Sequence, residues 1–428
     1  MLYELYKILD TDSSITLFGY LSFRSVAAFI TALLISFFIG PKIIRTLKNH
    51  HIGEMIRKNG PDSHLQKEGT PTMGGMIILL SVILPTILWS DIFNSYIQII
   101  LISTVVMGLV GLLDDYLKVV KKYSKGLIAK YKLIAQVSLG IFVGAMVMFG
   151  DNSGNYFHEG SGEQVRKYIL DSEKDFIESN FSYSSSEISI PFMADKRFSD
   201  FKKLEKTMFN QQNWKDELNR MKEKGTIPSG SLEIGFLLIL LSVFVITGSS
   251  NSINLTDGID GLAAGLSAIV FFALGIIAYA SGHINFSSYL NITYIHQSGE
   301  IAVFCMAMVG ACLGFLWYNA NPAQIFMGDT GSLALGAAMG AIAIILKKEI
   351  LLILIGGVFV VEVLSVIMQV GFFKYTRFKY GKGKRLFLMS PLHHHYELKG
   401  IKESKIVVRF WIIGVLLTLL ALITLKVQ

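Results

Sequence analysis

The chain has 428 residues, of which 52% are hydrophobic and only 17% charged, and its mean hydropathy is +0.51. A soluble domain carries roughly a quarter charged residues, so a water-soluble globular domain is excluded, and two cysteines exclude a disulfide scaffold. The formal charge of +7 does not point to nucleic acid: the basic residues gather in loops between apolar runs, the signature of the cytoplasmic side of a membrane.

Residues 1–22 hold Glu4, Asp10 and Asp12 without a basic n-region or a cleavage site, so the first apolar run is expected to direct insertion itself. A helix crossing the hydrocarbon core needs about 20 apolar residues. Ten runs qualify, at 23–47, 72–90, 96–114, 131–150, 233–250, 262–281, 299–317, 332–347, 350–374 and 406–426, the eighth being short. Cys305 and Cys312 share one of them. A helical separation of seven residues is about 10.5 Å of rise, too far for a bridge, so both read as packing residues. The expected fold is an all-α polytopic membrane protein.

Orientation follows from the short loops. Lys42, Arg45, Lys48, Arg57, Lys58 and Lys67 follow the first span; Lys118, Lys121, Lys122, Lys125, Lys130 and Lys132 surround the third loop; Lys374, Arg377, Lys379, Lys382, Lys384 and Arg385 follow the ninth span. Loops 91–95 and 282–298 have no Lys or Arg. Both termini are therefore expected outside the cell, with Lys347 and Lys348 as a mild violation on the outer side. The chain divides into residues 1–150 with four spans, a polar segment at 151–232, and residues 233–428 with six spans. The polar segment is expected outside. Phe201, Leu204 and Met208, then Trp214, Leu218 and Met221, recur at helical spacing, so it reads as a small helical insertion.

Ionisable residues near a membrane core are costly and mark function. Four clusters stand out, all on the cytoplasmic side of this topology. Asp114-Asp115 ends the third span, and adjacent carboxylates beside lysines suit a hard cation and phosphate. Asn251-Ser-Ile-Asn254-Leu-Thr-Asp257-Gly258-Ile259-Asp260-Gly261 lies between two apolar runs and reads as a polar turn whose glycines allow close backbone approach, before a helix whose N–H groups favour an anion. Asn319 to Ser332 contains Phe326, able to stack on a base, and Asp329, a hard oxygen ligand, in a second glycine turn opening a helix. Pro391-Leu-His393-His394-His395 follows a strongly basic loop, and consecutive imidazoles suit phosphate or sugar contacts better than a shared metal. Lys67 precedes the second span and Thr72 opens it, and Gln369 and Glu362 lie inside the ninth apolar run, where the amide needs a partner. Carboxylates, basic loops and phosphate-binding turns on one membrane face imply phosphoryl transfer between a soluble anion and a lipid.

Taken in order, Thr70-Pro-Thr-Met-Gly-Gly75, Asn254-Leu-Thr-Asp-Gly258, Phe326-Met-Gly-Asp-Thr-Gly331 and Pro391-Leu-His-His-His395 resemble the polyprenyl-phosphate N-acetylhexosamine-1-phosphate transferase superfamily, and more narrowly its phospho-N-acetylmuramoyl-pentapeptide transferase (translocase I) branch. The resemblance spans all ten runs; the 151–232 segment is longer than the loop this family commonly has there. It implies transfer of phospho-MurNAc-pentapeptide from UDP-MurNAc-pentapeptide to undecaprenyl phosphate, giving lipid I and UMP, with Mg²⁺ as cofactor, in the bacterial inner membrane, as a homodimer and without nucleic acid. It further implies Asp329 as the Mg²⁺ ligand, Asp114, Asp115 and His393 as catalytic, and Lys122 and Lys130 at pyrophosphate or lipid phosphate. Lys67, Phe326 and the Gly258–Asp260 backbone, Ile259 included, are implied at uridine. Thr72, Asn254, Asp257, Asn319, Gln369 and His394 are implied as further substrate contacts. The alternatives are a UDP-GlcNAc transferase to the same lipid and, from another class, a secondary transporter, which should carry its polar residues at midplane rather than at the inner ends of spans.

Overall fold

The computed structural model describes residues 2, 3, 6, 17–50, 69–121, 123, 126–149, 156–157 and 232–427. Long uninterrupted apolar sequences fold here as helices, the form that satisfies every backbone polar group within one segment. They are α1 (Leu21–Asn49), α2 (Gly75–Trp89), α3 (Ser95–Val119), α4 (Ala129–Phe149), α5 (Leu232–Thr256), α6 (Leu262–Ser281), α7 (Ile284–Leu290), α8 (Gly299–Asn319), α9 (Gly328–Ile345), α10 (Glu349–Ile355), α11 (Gly357–Tyr380), α12 (Leu392–Leu398) and α13 (Glu403–Thr424). Nine helices among the described residues are long and apolar enough to cross a membrane; the tenth expected span, α2, is apolar but only 15 residues long.

The two halves of the sequence interleave in one bundle. α9 is buried along nearly its whole length, between α3 and α5, while α8 packs between α1 and α6. Small residues set these approaches. Ala28, Ala32, Ser36 and Gly40 are buried at four-residue spacing on α1. A Cβ at Gly310 of α8 would lie 2.3 Å from the Phe29 carbonyl oxygen, and one at Gly314 2.4 Å from the Ser36 Cβ. Such seams replace the hydrophobic driving force that lipid does not supply. On α9, Gly336 meets the Ser250 Cα of α5 in the same way, and the Ser249 hydroxyl donates to the Gly336 carbonyl at 2.7 Å.

One end of the bundle is locked by a buried ion pair. Arg24 on α1 donates to both oxygens of Glu300 on α8 at 2.8 and 2.7 Å; the Asp91 N–H also donates to Glu300 at 2.9 Å. The same end carries a short antiparallel pair, β1 (Tyr156–Phe157) with β2 (Tyr294–Ile295). Otherwise the 151–232 segment, with its helical spacing, lies outside the described residues up to the start of α5.

Three expectations are corrected. The eighth span begins at Gly328, not 332, so the glycine motif is itself the first turn of α9. The ninth run is divided: α10 stops at Ile355 and α11 starts at Gly357. The polar stretch from Asn251 is not a loop until after Thr256, because α5 continues to that residue. Lys347 and Lys348, the mild violation of the charge rule, are buried together with Glu349.

Candidate active site

The four polar clusters meet at the other end of the bundle. The segment Pro71–Gly75 is stitched to the segment before α9: the Phe326 N–H donates to the Pro71 carbonyl, Gly74 N–H to Phe326 and Gly75 N–H to Met327, each at 2.8 Å. A Cβ at Gly75 would sit 2.0 Å from the Gly331 nitrogen, and one at Gly111 of α3 would sit 2.2 Å from the Asp329 carbonyl oxygen. Glycine at both positions lets α2 and α3 close on the first turn of α9. Gly328 enters that helix at φ 72°.

Asp115 caps α9 from across the interface. Its carboxylate accepts from the Asp329 N–H at 3.1 Å, the Thr330 N–H at 3.0 Å and the Thr330 hydroxyl at 2.7 Å. A negative charge there complements the helix dipole. Asp114, one residue earlier, accepts from the Leu127 N–H at 2.6 Å, which fastens the loop between α3 and α4.

Oxygens of Asp114, Asp115 and Asp329 lie within 4.8 Å of one another and form a group able to hold a metal ion. Two ammonium groups face it. Lys118 contacts Asp114 and is 3.2 Å from Asp329; Lys132 is 2.5 Å from Asp329 and 2.9 Å from Asp114. The Asn254 amide donates to the other Asp329 oxygen at 2.8 Å and to the Ser332 hydroxyl at 2.9 Å. Hard carboxylate oxygens suit a divalent cation such as Mg²⁺. The three donors of Asp115 all belong to the helix it caps, whereas Asp329 and Asp114 face the two ammonium groups, whose place on the carboxylate oxygens a metal ion can take.

Other expected residues are arranged around this centre. Gly258 closely approaches the histidines: a Cβ there would be 2.3 Å from His393 Nε2 and 3.1 Å from His394 Nε2. Ile259 and Asp260 are buried. Asp260 accepts from the Asn321 amide at 3.1 Å and the Ala323 N–H at 3.0 Å. Asn319 accepts from the Gly261 N–H at 3.0 Å and donates to the Ile325 carbonyl at 2.9 Å. Both side chains thus tie the 257–261 turn to the 319–326 loop. Thr72 is buried and Phe326 half-buried, and Asp257 lies immediately after α5. Gln369 finds its partners in the basic loop, accepting from the Leu386 and Phe387 N–H groups at 2.9 Å and donating to the Phe387 carbonyl at 3.1 Å. His393 is fully buried, whereas His394 is partly open. Lys130 is exposed at the start of α4; Lys67 and Lys122 lie outside the described residues.

Lys132 was missed as a site residue by the sequence reading. Its signal is a cation in the first turn of an apolar helix, where the dipole opposes it, which calls for a carboxylate partner. Glu403, which accepts from the Asp260 N–H at 2.7 Å, offers no such signal.

Residues 208–347 match the sequence profile of glycosyl transferase family 4. The chain is 44% identical over 429 residues to a phospho-N-acetylmuramoyl-pentapeptide-transferase of Thermodesulfovibrio yellowstonii, covering all of both chains. It is 42% identical to the proteins of that name from Azobacteroides pseudotrichonymphae and Flavobacterium psychrophilum, again over the whole of each chain. With identity of this level sustained end to end, the chain belongs to the phospho-N-acetylmuramoyl-pentapeptide-transferase family.

Proposed function

We propose that this chain transfers phospho-MurNAc-pentapeptide from UDP-MurNAc-pentapeptide to undecaprenyl phosphate, forming lipid I and releasing UMP, at the cytoplasmic face of the bacterial inner membrane and as a homodimer. The observation that carries the reading is the convergence of three carboxylates and two lysines at one end of the helix bundle, in a chain matched throughout by relatives of that name.

The reaction is an in-line displacement. An oxygen of the lipid phosphate attacks the sugar-bearing phosphorus, and the bond from that phosphorus to the bridging oxygen breaks. Anion must meet anion, so neutralising charge is the main requirement. Asp329 and Asp114 would hold Mg²⁺, which when bound supplies Lewis-acid charge compensation at the pyrophosphate. Lys118 and Lys132 supply fixed positive charge beside it. Asn254 orients Asp329, and Asp115 fixes the first turn of α9 beneath it. Lys122 and Lys130 attract the lipid phosphate or pyrophosphate from the loop. Phe326, Lys67 and the Gly258–Asp260 backbone form the uridine pocket. Thr72, Asp257 and His394 contact the remainder of the donor, while Asn319 and Gln369 act through the loops they hold. His393 acts from behind His394 and Gly258. The lipid phosphate is already ionised at neutral pH, so direct attack needs no separate base.

The test is UMP release by the purified protein in detergent with both substrates and Mg²⁺. Turnover should be lost on chelation and restored by added Mg²⁺. Asp329→Asn, which keeps shape but removes a ligand charge, should reduce it by several orders of magnitude, corresponding to a few kcal/mol of charge stabilisation. A near-wild-type rate in that variant would refute the ligand assignment, and turnover with UDP-GlcNAc in place of the muramoyl donor would move the chain to the other branch. A cysteine at Ser185 should react with an impermeant thiol reagent in intact spheroplasts; labelling only after lysis would invert the topology.

A further inference from the structure

The buried Glu362 has no place in the charge compensation described above, although it sits on α11 within an apolar helix. Its Oε2 accepts from the Leu392 N–H at 2.7 Å and lies 3.2 Å from His393 Nδ1. One residue further, His394 Nδ1 lies 3.0 Å from Glu397 Oε2. The two imidazoles stand edge to face, with centroids 4.2 Å apart. Both Nε2 atoms lie against Gly258, and both ring nitrogens of His393 are buried with no hydrogen-bond partner among the described residues, so Glu362 faces its Nδ1 at ion-pair distance while Glu397 is within hydrogen-bond reach of that of His394. His395 differs: its Nδ1 accepts from the Leu388 N–H at 3.1 Å, and among the described residues no carboxylate faces it in this way.

We infer that Glu362 and Glu397 are positioning residues, each setting a carboxylate against Nδ1 of one histidine so that the Nε2 atoms of His393 and His394 are turned onto the Gly258 turn. A carboxylate hydrogen-bonded to Nδ1, as Glu397 is to that of His394, fixes the proton on that nitrogen and favours the charged form of that imidazole, while Glu362, against Nδ1 of His393, sets the plane of the ring behind it. His394, partly open, is then held ready to donate from Nε2 to an anionic oxygen of the donor. His393, fully enclosed, acts as the backing that keeps His394 and Gly258 in register. Among the described residues Glu362 from α11 and Glu397 from α12 face the pair, and Asp257 and Asp260 flank Gly258 in sequence. This inference rests on the transferase reading, because the donor is what His394 would meet.

Glu362→Gln and Glu397→Gln test it. Glutamine can still accept from Leu392 N–H or from an imidazole N–H, so fold and hydrogen bond are retained while charge is lost. Each variant should show about a tenfold or greater loss in kcat/KM for the donor, and the alkaline limb of its pH profile should move down by roughly one unit. Inhibition by UMP should be unchanged. Glu397, on the short helix α12 outside the apolar spans, provides the readout if Glu362→Gln does not fold. Histidine NMR of nitrogen-labelled protein gives a measure independent of turnover: the His394 titration should move down in Glu397→Gln. Wild-type pH profiles and an unmoved His394 titration in the variants would overturn the inference, as would lost activity accompanied only by lower thermal stability. Absence of turnover in the wild-type protein would count against the transferase reading instead, with the NMR titration still deciding the dyads.

Discussion

Replacing Gly111 by alanine should separate the acidic residues of α3 from the first turn of α9. The added Cβ would lie 2.2 Å from the Asp329 carbonyl oxygen, 2.4 Å from its carbon and 2.6 Å from the Thr330 nitrogen. These are backbone atoms of a buried helix, so no side chain can rotate aside. An ordinary contact begins at 3.4 Å, which leaves 1.2 Å to be opened between the helices. Overpacking of this kind costs about 1–3 kcal/mol of stability. The larger effect is on rate: Asp114 and Asp115 would move relative to Asp329 by about a quarter of the 4.8 Å that now contains their ligand oxygens. A misplacement of about 1 Å at a reacting centre can cost on the order of 100-fold. Gly111→Ala should therefore reduce kcat/KM for UMP release by about two orders of magnitude, with a modest fall in melting temperature. Gly371→Ala on α11 is the control, because a Cβ there meets nothing within 4 Å; it should be silent or slightly stabilising. A Gly111→Ala enzyme with wild-type rate and stability would refute the view that this glycine sets the separation of the carboxylates.

At the opposite end, Arg24→Met should destabilise the protein by about 3–5 kcal/mol, because it leaves Glu300 buried without its cation, while the folded fraction keeps its KM for the donor; adding Glu300→Met should recover most of the loss, and thermal unfolding in detergent would measure both. Burial pushes the Glu349 carboxyl up to about 7, from 4.5. The folded protein then holds this proton where the unfolded chain has released it, so stability should fall as pH rises from 4.5 to about 7. Glu349→Gln should flatten that slope, and unchanged pH dependence of the melting temperature would contradict it.

The apolar runs were legible in the sequence because each helix needs only its own backbone partners, and the clusters were legible because charge near a membrane core is conspicuous. Pairings were less legible. Asp329 and Lys132 are 197 residues apart, and no local spacing links them. Glu362 could be flagged as costly, but its neighbour His393 belongs to a different helix. Asn319 and Asp260 have the chemistry of ligand contacts, yet their side chains bond to neighbouring loops, a choice made only when the chain closes. The break at Gly356 was hidden because both sides of it are equally apolar, so hydropathy runs across a backbone irregularity.

The cap that Asp115 places on α9 has a consequence for selectivity among anions. A free helix N-terminus is a ready receptor for phosphate, but here two of its N–H groups and the Thr330 hydroxyl are already engaged by a resident carboxylate. An incoming phosphate therefore gains little from that dipole and is left to the ammonium groups and to whatever cation the carboxylates hold. Binding then tracks the total negative charge and geometry of the ligand rather than rewarding any anion small enough to reach a helix end. Free inorganic phosphate, abundant beside the membrane, should accordingly compete poorly with a pyrophosphate that can span both lysines.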